Sequence, residues 1–170
     1  MQGQVTTSFA QSGRRGFLTG AIAAVATGIA LNATPVRAGE TVMTPPEAHM
    51  AAVAGDIILV DIRTPPEWAE TGIGEGAIAL DMTEKDFVDS LVKLRNAFPE
   101  KPIALICRTG NRSGYVFNAL NKQGFPGLVD VSEGMAGGRN GKGWIPRGLP
   151  TYPGTGEEIQ KRLDHVMNPA

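Results

Sequence analysis

Cysteine is nearly absent: Cys107 is the only one in 170 residues. A single thiol excludes an internal disulfide framework and any paired-cysteine zinc or dithiol redox motif. Histidine is scarce too. His49 and His165 stand far apart, without ligand-like spacing, and read as surface helix residues rather than a catalytic base. No basic surplus exists. Residues 1–38 hold Arg14, Arg15 and Arg37 and no acid; the other 13 of the 16 Lys and Arg face 17 Asp and Glu, a net of −4. Such a domain has nothing with which to neutralise a phosphate backbone, so nucleic acid is not an expected partner. Long apolar runs are missing as well. The longest, Phe17 to Leu31, is about 15 residues and diluted by Gly20, Thr27 and Gly28, short of the roughly 20 that span a bilayer as a helix.

What that run does have is a context. Arg14-Arg15-Gly16-Phe17-Leu18 precedes it, and Val36-Arg37-Ala38 closes it with small residues where a signal peptidase cleaves. This leader resembles a twin-arginine translocation signal. The resemblance implies that residues 1–38 are removed and that the twin-arginine translocase is a partner during export. A folded protein of 132 residues starting near Gly39 is then expected in a bacterial periplasm, with no stable membrane anchor after cleavage.

In the remaining chain, helix and strand signals alternate. Thr44-Pro45-Pro46-Glu47 combines a Thr N-cap, proline in the first turn and Glu at the third helical position, the pattern of a capping box. Ala48, Ala51, Ala52 and Val53 then give one apolar face. Ile57–Val60 is a β-branched run that predicts a buried strand. Thr64-Pro65-Pro66-Glu67 repeats the capping signature, Gly72 to Gly76 reads as a loop, and Ala77–Leu80 predicts another strand. Phe87, Leu91, Leu94 and Ala97 or Phe98 fall at helical spacing. Two more strands are expected at Ile103–Ile106 and Gly127–Val131, and a last helix from Glu157 to Met167 carries Ile159, Leu163 and Val166 on one face. The alternation predicts a doubly wound α/β fold with a mainly parallel sheet. The organisation read from the chain is a leader over 1–38, a domain over 39–155 and a C-terminal helix and tail over 156–170.

The chemistry concentrates after the strand Ile103–Ile106. Cys107 stands at its C-terminal end, where open α/β sheets bind ligands, and Arg108-Thr109-Gly110-Asn111-Arg112-Ser113 follows. Gly110 and Asn111 are residue types that readily take positive φ. The backbone N–H groups leading into the next helix can therefore curl into an anion-binding nest. With Arg108 and Arg112 beside it, the thiol is expected to ionise more easily than a free one, whose pKa is about 8.5. The reading is a nucleophilic sulfur at the bottom of an anion-binding cup. Asp61 and Arg63, at the end of a neighbouring strand, form either a structural ion pair or a brace for the loop. For the glycine-rich stretch Ser132–Gly148 two readings stand: a flexible surface connection, or a wall of the site with Trp144 or an arginine facing substrate.

Taken together, the chain from about Thr41 to Pro150 resembles a single-domain rhodanese. The residues that carry the resemblance are Leu59-Val-Asp-Ile-Arg-Thr-Pro-Pro-Glu-Trp68, Gly72-Ile-Gly-Glu-Gly-Ala-Ile78, Cys107-Arg-Thr-Gly-Asn-Arg-Ser113, and Val131-Ser-Glu-Gly-Met-Ala-Gly137 with Gly148-Leu-Pro150. Gly138–Arg147 looks like an insertion. The resemblance implies a five-stranded, mainly parallel sheet flanked by helices, and a thiosulfate sulfurtransferase. In that reading Cys107 attacks the outer sulfur of a small anionic donor and carries it as a persulfide to a thiol or cyanide acceptor. Arg108 to Ser113 would bind the donor, and neither metal nor organic cofactor is required. One rival is a periplasmic sulfur carrier serving a single partner enzyme. Another, a cysteine phosphatase or arsenate reductase, is disfavoured because those loops resemble Cys-x5-Arg, whereas Arg112 stands at Cys-x4-Arg and position 113 is Ser.

Overall fold

The structure is a computed structural model that describes residues 42–168. The leader and its expected cleavage point lie outside the described residues. Among these residues no helix is long and apolar enough to cross a membrane.

Five parallel strands form the sheet: β1 (Val42–Met43), β2 (Ile58–Asp61), β4 (Ala77–Ala79), β5 (Ile103–Ile106) and β6 (Leu128–Val131). Their spatial order is β1-β6-β5-β2-β4. Two further short strands, β3 (Ile73–Gly74) and β7 (Thr151–Tyr152), pair antiparallel beside it. The expected doubly wound α/β architecture is therefore present. Three short strands, β1, β3 and β7, were not foreseen. Each is two residues long, too brief to carry an alternation pattern, and β3 lies inside the stretch read as a loop.

Strand periodicity divides the core in two, because successive side chains point to opposite faces. Ile57, Leu59, Ala104, Ile106, Val129 and Val131 face α1 (Pro45–Ala54) and α2 (Pro65–Thr71). Ile58, Val60, Ile103, Leu105, Cys107 and Leu128 face α3 (Phe87–Ala97) and α4 (Asn111–Lys122). The four residues of β5 have no accessible surface, and burying such a side chain contributes about 1.5–3 kcal/mol. β5 is thus buried along its whole length, and it is the strand that ends at Cys107.

Both capping signatures form. Glu47 accepts from the Thr44 amide and hydroxyl at 2.8 and 2.7 Å, and Glu67 from those of Thr64 at 3.1 and 3.0 Å. The face expected on α1 is narrower than predicted: Ala48 and Ala51 are buried, but Val53 is largely exposed. A last helix, α5 (Gly156–Met167), lays Ile159, Leu163 and Val166 against the core.

Candidate active site

Cys107 is the first residue after β5, and its side chain follows Leu105 onto the α3/α4 face. The chain then turns back on itself. Gly110 adopts φ +85° as the residue preceding α4, and a Cβ there would lie 1.7 Å from the Ser132 carbonyl oxygen. Only glycine meets both conditions. Six residues after the cysteine, the Ser113 hydroxyl comes to 3.5 Å from Sγ and 3.3 Å from the Gly110 carbonyl. The loop therefore closes around the sulfur. Among the described residues, the N–H groups of Arg108 through Ser113 donate to no protein acceptor of good geometry, so the donors expected of a nest remain free. α4 begins at Asn111, so the loop amides run directly into a helix N-terminus.

The sulfur is sealed rather than open. Cys107 has no accessible surface, a difference from the expected cup. Its place in the strand alternation, with Ser113 folded over it, explains this. A second segment fixes the loop from behind. The amides of Met135 and Ala136 donate to the carbonyls of Cys107 and Arg108 at 2.8 and 2.7 Å, and Gly134 packs flat against Arg108 and Thr109.

The two arginines differ. Arg108 is exposed, and among the described residues its guanidinium has no ion-pair partner. Arg112 is held by Glu67 through two hydrogen bonds of 2.8 and 2.5 Å. That fork holds the Glu67 carboxyl down at about 2, against the resistance of partial burial and with help from Thr64. Glu67 was legible only as a helix cap; nothing local marked it as the partner of a residue 45 positions on. Asp61 and Arg63 form a buried ion pair at 2.7 Å. Arg63 also donates to the Thr71 hydroxyl and the Gly72 carbonyl, each at 2.7 Å. The pair therefore pins the C-terminal end of α2 and reaches the loop only through that helix and Glu67.

Trp144 does not face substrate. It is fully buried, its ring rests against Gly74, and its indole N–H donates to the Pro150 carbonyl at 3.0 Å. His49 meets the ring edge-on at 5.4 Å and is half-buried rather than on a free surface. An indole carries more apolar surface than a short, glycine-rich segment could leave in water, and its N–H finds a carbonyl inside. The rest of the Ser132–Gly148 stretch is anchored as well. Glu133 accepts from the Gly143 amide at 2.9 Å and from Arg147 at 2.7 Å. The Asn140 side chain donates to the Ser132 carbonyl beside Gly110. The stretch is thus a wall of the loop, with Asn140 rather than Trp144 at its edge.

Residues 44–140 match the family described as "Rhodanese-like domain", more than half of the chain, and the chain belongs to that family. An uncharacterised protein of Rickettsia prowazekii (strain Madrid E) is 30% identical over 108 residues, covering 60% of this chain and 88% of that protein. Another, from Rickettsia conorii (strain ATCC VR-613 / Malish 7), is 33% identical over 98 residues, covering 54% and 80%. Among solved structures, the polysulfide-sulfur transferase homodimer of Wolinella succinogenes shares the fold. Its TM-score is 0.51 at 24% identity, covering 67% of this chain and 79% of that one.

Proposed function

We propose that this protein is a sulfurtransferase that moves sulfane sulfur from thiosulfate or a similar anionic donor, through a persulfide on Cys107, to cyanide or a thiol. One observation carries the reading: the sole thiol is enclosed by a short loop whose free amides run into a helix N-terminus. As a thiolate, Cys107 attacks the outer sulfur of the donor. The donor's S–S bond breaks, sulfite departs with the electron pair, and Cys107 holds the persulfide. The acceptor, a thiolate or cyanide, then attacks the terminal sulfur and releases the Cys107 thiolate. The N–H groups from Arg108 to Ser113 stabilise the anionic sulfur at each stage. Arg108, exposed and without an ion-pair partner among the described residues, meets the donor's oxygens first, and Arg112 fixes the loop while adding positive charge behind it. The loop must open to admit the donor, since the sulfur has no accessible surface.

That enclosure supports a second reading, a carrier that delivers persulfide to one partner whose docking opens the loop. The test is intact mass after incubation with thiosulfate, followed by discharge into cyanide and a panel of thiols. Uptake of one sulfur with release to small acceptors supports the enzyme. Uptake with no release to any of them favours the carrier, and no uptake overturns both. We further propose that residues 1–38 direct twin-arginine export to the periplasm. Replacing Arg14 and Arg15 by lysine should hold precursor in the cytoplasm; unchanged export would dismiss this.

A further inference from the structure

Asp130 interrupts the apolar strand β6 and is 8% exposed. It is in register with Leu105 on β5, so it shares a face with Leu105 and with Cys107 two residues further on. Its Oδ1 has no hydrogen-bond partner among the described residues. On the α4 side it lies against Gly114, where even a Cβ would come to 3.4 Å from Oδ2. Ser113 is the residue before Gly114, and its hydroxyl stands 3.5 Å from Sγ and 3.3 Å from the Gly110 carbonyl. Ser113 thus sits between a buried carboxyl and the reacting sulfur, with one proton to give.

We infer that Asp130 is a positioning residue for the Cys107 sulfur, its protonation state setting which way the Ser113 hydroxyl donates. An ionised Asp130 draws that proton toward itself. A protonated Asp130 gives its own proton to the Ser113 oxygen, and Ser113 then donates to Sγ, strengthening the thiolate or persulfide. Burial raises the Asp130 carboxyl above its ordinary value, and Ser113 offsets part of this. Among the described residues, Asp130 makes no ion pair with a side chain of α4, β5 or β1. The inference rests on reading Cys107 as the nucleophile.

The experiment follows alkylation of Cys107 by iodoacetamide in the full chain, read by intact mass between about pH 3 and 9. Wild type should show, besides the thiol ionisation, a second inflection on the acid side. Asp130→Asn competes more weakly for the hydroxyl than a carboxylate does. It should remove that inflection and speed alkylation near neutral pH on the order of ten-fold, the lower end of what one hydrogen bond to a charged group is worth. Ser113→Ala should also remove the inflection, and adding Asp130→Asn to it should change nothing further. Superimposable profiles for wild type and Asp130→Asn overturn the inference, as does an Asp130→Asn effect that survives in the Ser113→Ala background. Should Asp130→Asn fail to fold, Ser113→Ala alone decides, since an inflection that persists without the hydroxyl overturns it equally. Thiosulfate uptake by the same samples is scored separately. Its absence in wild type would end the transfer reading, while the alkylation profiles still judge the link between Asp130 and the sulfur.

Discussion

The tetrapeptide Thr-Pro-Pro-Glu occurs twice, at Thr44–Glu47 and Thr64–Glu67, and the two copies have the same local structure and different work. In each, threonine is the N-cap, proline opens the helix, and the glutamate folds back on the threonine. Glu47 stops there. It is exposed, and Thr44 is the main cause of its lowered pKa. Glu67 does the same for α2 and in addition grips Arg112 with both carboxylate oxygens. A local signature writes a helix start. Whether that start also serves a site depends on which distant residue the fold brings against it. α2 thereby becomes a strut, fixed at its far end by Arg63 and at its near end to the loop around the sulfur.

The largest expected effect removes what the second copy supports. Cys107→Ser should abolish sulfur uptake while leaving both helix starts and the circular dichroism spectrum unchanged. Uptake in that variant would mean the strut braces something other than the reacting atom. Arg112→Ala comes next. It cuts the strut from the loop and takes a cation away from the sulfur, so kcat/KM for thiosulfate should fall on the order of 10- to 100-fold, or about 1.4–2.7 kcal/mol. An unchanged kcat/KM would show that Arg112 neither orders the loop nor helps hold the donor.

How far the chain could be read follows the same division. The main strands, the two capped helices and the arginine-flanked cysteine were legible because each is written in consecutive residues, by alternation, by cap chemistry or by glycine placement. The pairing of Glu67 with Arg112 was not, since its partners are 45 residues apart and the local signature of each points to a different task. Asp130 did leave a trace. Leu128-Val-Asp130-Val repeats the pattern of Leu59-Val-Asp61-Ile, and a charged residue inside a buried strand signals a partner or a task. Asp61 has its partner in Arg63, whereas among the described residues Asp130 has no ion pair, a difference no pattern could show. Trp144 was misplaced because a glycine-rich neighbourhood reads as surface, whereas its ring is what ties that segment to the core.

Glu67→Gln sharpens the comparison through pH. The Glu67 carboxyl is held at about 2 in the folded protein against an ordinary 4.5. Its stabilising contribution is therefore fully present above about pH 4.5 and is lost as pH falls toward 2. The variant should be less stable than wild type by about 1–2 kcal/mol near neutral pH, as expected for a charge-assisted fork that is partly exposed. The gap should narrow in denaturant titrations below pH 4.5. A gap that stays constant with pH would mean that the carboxylate charge contributes nothing.

Glu47→Gln is the matched control and the smallest change. It alters the same position of the same tetrapeptide, but glutamine can still complete a capping box, and among the described residues no ion pair is lost with the charge. Stability should fall by about 0.5 kcal/mol or less, and sulfur uptake should match wild type. If Glu47→Gln slowed uptake as much as Glu67→Gln, the two copies would be equivalent. The loop would then depend on the general soundness of its helices rather than on the one carboxylate that touches it.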